Sequence, residues 1–166
     1  PIGLVEKGER TCDLEIRRLA KGRAASVFPA PIRPVLNIEH YVDANALTKR
    51  ISGKGMSRQS FGILRKIREL DGVVRGMKEG RVYEAFPEMA YVRMNSYEPL
   101  KASKHRAGGL LERRKLLTKA YGSVESSERS AKGLKGVALH DVYDALAVLE
   151  TAQHIINGEA QRVPED

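Results

Sequence analysis

Arg81-Val82-Tyr83-Glu84-Ala85-Phe86-Pro87-Glu88 is the stretch on which the fold assignment turns. Val82, Tyr83 and Phe86 favour extended backbone, and Gly80 marks a boundary ahead of them, so Arg81 to Phe86 reads as a short strand. Pro87 ends the strand and suits the first turn of a helix through Met89 to Met94. Alternate strand residues share a face, which puts Glu84 beside Val82 and Phe86. A carboxylate in that company is costly unless it is paired. Glu84 therefore either has a cation partner or lines a site.

The 166 residues fit a single domain spanning 1–166 and can bury a core. With 42% hydrophobic and 30% charged residues the composition is that of a soluble globular protein. No apolar run approaches the ~20 residues that span a bilayer, so no membrane partner is expected. The opening residues lack the pattern of a secretory leader. Cys12 stands alone, which excludes an internal disulfide and points to a reducing compartment, the cytoplasm. The net charge of +8 favours a polyanionic partner, nucleic acid above all. Aromatics make up 5% and Trp is absent, which argues against a stacking platform for single strands, since that needs several exposed rings.

Before the central stretch, Thr11 or Asp13 can cap a helix to about Lys21, closed by Gly22. Arg23 to Leu36 contains Pro29, Pro31 and Pro34 and reads as an extended loop anchored by Val27, Phe28, Ile32 and Val35. Asn37 can cap a second helix over Ile38 to Arg50. Ser57 can cap a third, with Phe61, Leu64, Ile67 and Leu70 at helical spacing. Gly53-Lys54-Gly55-Met56-Ser57 lacks the spacing of a phosphate-binding loop and reads as an interhelix connection. After the central stretch, Asn95 to Gly109 is a basic loop. A helix over Leu110 to Tyr121 ends at Gly122, and Ser123 to Gly136 reads as a mobile polar loop. The last helix runs from about Val137 to Asn157 and ends at Gly158.

On that last helix, Leu139, Val142, Leu146, Leu149 and Ile156 fall on one apolar face. Asp141 projects within its widened arc and Asp144 near its edge. Residues three apart are neighbours on a helix, so the two carboxylates can converge. Two converging carboxylates repel, and a hard divalent cation, Mg²⁺ or Mn²⁺, removes the penalty. The same residues also suit an ordinary acidic first turn, with Asp144 paired to an arginine.

Asp141-Val142-Tyr143-Asp144-Ala145-Leu146-Ala147 resembles the Asp-x-x-Asp-Ala-Leu-Ala motif of RuvC-type Holliday-junction resolvases. A longer resemblance is to a family of unassigned function predicted to be RNase H-like nucleases. It runs through Pro1-Ile2-Gly3-Leu4, Cys12-Asp13, Ser26-Val27-Phe28-Pro29-Ala30-Pro31 and Ser57-Arg58-Gln59. It continues through Lys66-Ile67-Arg68-Glu69-Leu70-Asp71, Glu84-Ala85-Phe86-Pro87-Glu88 and Gly109-Leu110-Leu111-Glu112-Arg113. The resemblance implies a helix-rich α/β fold of RNase H type, of which this chain is the C-terminal portion. The first strands, with an aspartate of the site, would precede Pro1, and without them the site is incomplete.

The resemblance further implies a metal-dependent nuclease hydrolysing phosphodiester bonds. Asp144, Asp141 and Glu84 would be its catalytic carboxylates, and Asp141 and Asp144 the ligands of Mg²⁺ or Mn²⁺. Lys104, Arg113 and Lys66 are candidate phosphate contacts, with Arg58, Lys101 and Arg114 beside them. The alternatives are a non-catalytic basic module that binds nucleic acid and a scaffold protein. His40, His105, His140 and His154 show no metal-ligand spacing, and Cys12 has no evident base.

Overall fold

The computed structural model describes residues 1–20, 23–77 and 82–164. Eight α-helices lie among them: α1 Thr11–Leu19, α2 Tyr41–Ser52, α3 Arg58–Gly62, α4 Leu64–Val74, α5 Pro87–Met94, α6 Ala107–Tyr121, α7 Glu125–Ala131 and α8 Leu139–Ile156. Two short 3₁₀ turns, Ala24–Ser26 and Arg33–Val35, interrupt the proline-rich loop.

The expected α/β fold is overturned: among the described residues there is no strand and no sheet, and the architecture is helical. Residues 82–86 have no regular structure, although Phe86 is extended at φ −110° and ψ 109°. Extended backbone becomes a strand only when a neighbour takes up its N–H and C=O groups, so the β-favouring side chains of Val82, Tyr83 and Phe86 do not suffice. Gly80 and Arg81, like the Gly22 stop of the first helix, lie outside the described residues.

The chain divides into two compact units. The first comprises Pro1–Arg18 and Arg23–Glu84; the second comprises Leu19–Gly22 and Ala85–Glu165. The core of the first gathers Leu4, Ile32, Val35, Leu36, Ala44, Met56, Leu64 and Ile67. Ile32 and Val35 are the anchors of the proline-rich loop, whereas Phe28 is exposed. Ser57 caps α3 as its sequence predicts, its Oγ accepting from Ser60 N–H at 3.0 Å. Gly53 ends α2 at φ +77°, a conformation that costs glycine little. α2 begins after His40 rather than after Asn37.

The core of the second unit gathers Ala90, Tyr91, Leu100, Leu117, Val124, Tyr143 and Ala147. α8 packs chiefly on α5, with α6 and α7 also against it. Its buried residues are Tyr143 and Ala147, not the stripe of larger aliphatics: Leu149 is 54% and Ile156 78% exposed. Small Ala147 lets the helices approach, and Tyr143 fills the space beside it. The polar segment 123–136 holds a helix, α7. Its Glu128 Oε1 is bound at 2.8 Å by Arg114 Nε and at 2.5 Å by the Tyr143 hydroxyl. Tertiary hydrogen bonds outweigh the weak helix preference of its serines.

Candidate functional site

The acidic helix α8 brings Asp144 onto the basic loop ahead of α6. Lys104 Nζ donates to Asp144 Oδ2 at 2.6 Å. The Asp144 side chain is only 18% exposed, and its Oδ1 is buried with no hydrogen-bond partner. Asp144 also acts on Tyr91. Burial, and then the nearby Asp144 charge, push the Tyr91 phenol well above the usual tyrosine range. Tyr91 therefore stays protonated and donates to the Tyr143 carbonyl at 2.7 Å.

Asp141 does not share this environment. Its side chain is 56% exposed, and Oδ2 accepts from the Ala138 N–H at 3.1 Å, closing the open start of its own helix. Oδ1 lies 3.5 Å from His140 Nε2, and the His140 ring meets the His105 ring edge-on at 4.8 Å between centroids. Of the two readings of this pair, Asp141 takes the helix-terminus role. Asp144 has a cation partner, but it is a lysine.

Among the described residues no group of three or more His, Cys, Asp or Glu side chains is placed to hold a metal ion. The orphaned Oδ1 of Asp144 fits one hard-oxygen ligand of Mg²⁺ or Mn²⁺. Asp141, bonded to its own helix, does not supply a second in this arrangement. The two carboxylates have different partners, Asp144 the Lys104 ammonium and Asp141 the Ala138 N–H.

Arg113 is fully buried. Its Nη2 binds Glu88 Oε1 at 2.5 Å, and its Nη1 donates to the carbonyls of Gly109 at 3.1 Å and Ala102 at 3.3 Å. Its guanidinium carbon stands 5.1 Å from the Tyr91 ring centroid. Fully buried, Arg113 presents nothing to a phosphate at the surface, although its Nε is left without a hydrogen-bond partner. It makes the Gly-x-x-x-Arg pattern a structural device. At Gly109 an added Cβ would stand 2.0 Å from the Ser103 carbonyl oxygen, so only glycine lets α6 start against that turn.

In the first unit Glu84 finds the cation that its position requires. Arg10 forks onto it, Nη1 to Oε2 at 2.6 Å and Nη2 to Oε1 at 3.0 Å, and the Ile2 N–H adds a third bond at 2.8 Å. Burial pushes the Glu84 carboxyl up, but these hydrogen bonds outweigh it and hold the group below its ordinary value. The same guanidinium binds Asp13, through Nη2 at 2.5 Å and Nε at 3.0 Å, and the Ile2 carbonyl at 2.7 Å. Asp13 Oδ2 in turn accepts from the Ala30 N–H at 3.2 Å. Glu84 is thus a paired structural carboxylate. Lys66 is exposed on α4. Beside Asp13, burial pushes the Cys12 thiol up, away from reactivity.

The model of the family described as a protein of unknown function, DUF429, matches residues 1–166. The chain belongs to this family. No curated protein and no solved structure matches it. Among the described residues of this DUF429 chain, no helix is long and apolar enough to cross a membrane.

Arg10 is the residue that the sequence reading passes over, although it gathers the Pro-Ile-Gly opening, Asp13 and Glu84. The signal was Glu84 itself, a carboxylate on an apolar face that demanded a partner. An open, apolar groove of about 510 Å³ is lined by Leu110, Leu111, Val137 and Leu139 with Arg114 and Glu128. Asp144 does not line it.

Proposed function

We propose that this chain serves metal-dependent hydrolysis of nucleic-acid phosphodiesters, with Asp144 as its metal-facing carboxylate and Lys104 as the adjacent phosphate contact. The observation that carries the reading is the buried, unpartnered Oδ1 of Asp144 next to an ammonium group. A buried carboxylate oxygen without a partner is costly unless something else binds it. A divalent ion, when bound, would supply a Lewis acid for the phosphoryl oxygen and lower the pKa of a bound water. The residues of this chain supply one oxygen ligand and a cation, with the buried Tyr91 phenol near enough to feel the Asp144 charge. The Asp-x-x-Asp-Ala resemblance points to the same chemistry.

A second reading, a non-catalytic module that binds nucleic acid, is favoured by the lack of a three-donor group among the described residues and by the +8 charge. One set of measurements separates the two. The purified chain is incubated with Mg²⁺ or Mn²⁺ on branched DNA, duplex DNA and RNA–DNA hybrids, and Mn²⁺ binding is followed by paramagnetic resonance. The first reading expects cleavage and Mn²⁺ binding, both lost in Asp144→Asn. Cleavage that survives this substitution removes Asp144 from the reaction. Nucleic-acid binding without cleavage or Mn²⁺ uptake leaves the second reading.

A further inference from the structure

From Ala44 to Arg68 the sequence carries seven basic residues and no Asp or Glu. They are Lys49, Arg50, Lys54, Arg58, Arg65, Lys66 and Arg68, and the stretch lies within the first unit. Two of these charges are taken up locally: Arg65 pairs with Glu69 at 3.0 Å, and Arg68 Nε donates to the Leu36 carbonyl at 2.8 Å. Lys54, 87% exposed, makes a long ion pair with Glu9 at 3.8 Å. Lys49, Arg50, Arg58 and Lys66 are exposed.

Arg58 is held in a particular way. Its guanidinium carbon stands 4.4 Å from the centroid of the Tyr41 ring, in the first turn of α2. The Tyr41 ring is itself fixed. Its hydroxyl donates to the Met56 carbonyl at 3.1 Å, and the Phe61 ring meets it edge-on at 5.6 Å between centroids. Asn45 Oδ1 accepts from Met56 N–H at 2.9 Å and ties the loop between Lys54 and Arg58 back onto α2. Lys49 follows Tyr41 by two turns of α2, displaced by about 80° around its axis. A planar cation is thus held over a ring in a stretch rich in basic residues, with exposed Glu39 and Asp43 on either side of Tyr41 in sequence.

We propose that the Tyr41–Arg58 stack, with Lys54 and Lys49, is a docking surface for single-stranded nucleic acid. One base lies on the side of the Arg58 guanidinium turned away from the ring, and the lysines take adjacent phosphates. An unstacked base gains from lying on an arginine plane, and a duplex offers no such base. The surface relies on one arginine plane, not on the several exposed rings that the low aromatic content argues against. The proposal rests on the preceding reading only in taking nucleic acid as the partner. It needs no metal and no Asp144.

The test is fluorescence anisotropy of a labelled single-stranded oligothymidine, a mixed-sequence duplex and anionic phospholipid vesicles, all in EDTA. The single strand binds best, and Arg58→Ala weakens its binding about tenfold. Lys54→Ala reduces the slope of log affinity against log salt by about one. Arg58→Lys keeps the charge and loses the plane. It retains most of that loss, and it tests the idea even if the alanine variant folds poorly. Equal binding by wild type and both Arg58 variants, or preference for duplex or vesicles, overturns the surface and leaves the proposed function standing. No nucleic-acid binding by the wild type in EDTA likewise overturns the surface, while the metal-dependent cleavage assay with Asp144→Asn judges the proposed function separately.

Discussion

Lys104 and Asp144 form the ion pair that fastens the turn ahead of α6 to the second turn of α8, at 2.6 Å. Lys104 is 32% exposed and Asp144 18%, so the pair is partly screened by water yet sits at the edge of a core. Lys104→Met strands a largely buried carboxylate and destabilises the chain by about 2 kcal/mol. Asp144→Asn in the same background recovers part of the loss, giving a coupling of about 1 kcal/mol in a double-mutant cycle. Urea denaturation followed by circular dichroism measures all four corners. Strict additivity would mean that the pair contributes nothing.

Arg113 gives a larger effect. Its guanidinium is fully buried and Glu88 is 14% exposed. Arg113→Met leaves that carboxylate without its cation and costs about 3–5 kcal/mol. Arg113→Lys keeps the charge but cannot serve Glu88 and two backbone carbonyls at once, so it falls between the two. A wild-type denaturation midpoint for Arg113→Met would refute the role given to this residue.

Acid sensitivity follows from three carboxylates. Burial raises Glu84, but the Arg10 hydrogen bonds and the Ile2 N–H overcome it and leave it lowered. Hydrogen bonds from Arg33 lower Asp71, and those from Arg114 and Tyr143 lower Glu128. Each binds its proton more weakly folded than unfolded, so the unfolded chain takes up more protons as pH falls. Their stabilisation is complete above the ordinary glutamate value of 4.5 and is lost as pH drops through the lower folded values. The urea midpoint should decline on that acid side, and Glu84→Gln should flatten the decline. Superimposable pH profiles would show that Glu84 titrates alike in both states.

Tyr91 tests the interior of the second unit. Tyr91→Phe keeps the ring under Arg113 and removes only the hydrogen bond to the Tyr143 carbonyl. The cost is about 1 kcal/mol, with faster amide exchange in α8. Unchanged stability together with unchanged exchange would place that bond outside the forces holding α8.

Some helix ends were legible: Gly122 and Gly158 stop helices with φ of +76° and +72°, and Ser57 caps one, because this chemistry is local, whereas the cap read at Asn37 is not used. The strand at 82–86 was misread because pairing is a property of two segments and side-chain preference belongs to one. α7 was hidden for the same kind of reason: its support comes from Arg114 and Tyr143, distant in sequence. In the site, the spacing of Asp141 and Asp144 was plain, but the partner of each was not. Ala138, one helical turn back, claims one carboxylate and Lys104, forty residues away, claims the other. Glu84 was legible as a demand for a cation, while the identity of that cation was a tertiary fact.

Gly109 has no side chain to offer any ligand, yet it governs the charge balance at α8. Any larger residue there would push the Ser103 carbonyl away, and Lys104 is the next residue along. Withdrawing that ammonium would take the partner from Asp144 Oδ2, when Oδ1 has none already. A neutral methyl group at position 109 would therefore act from a distance as an electrostatic mutation, leaving a bare anion where the native chain keeps a neutral pair.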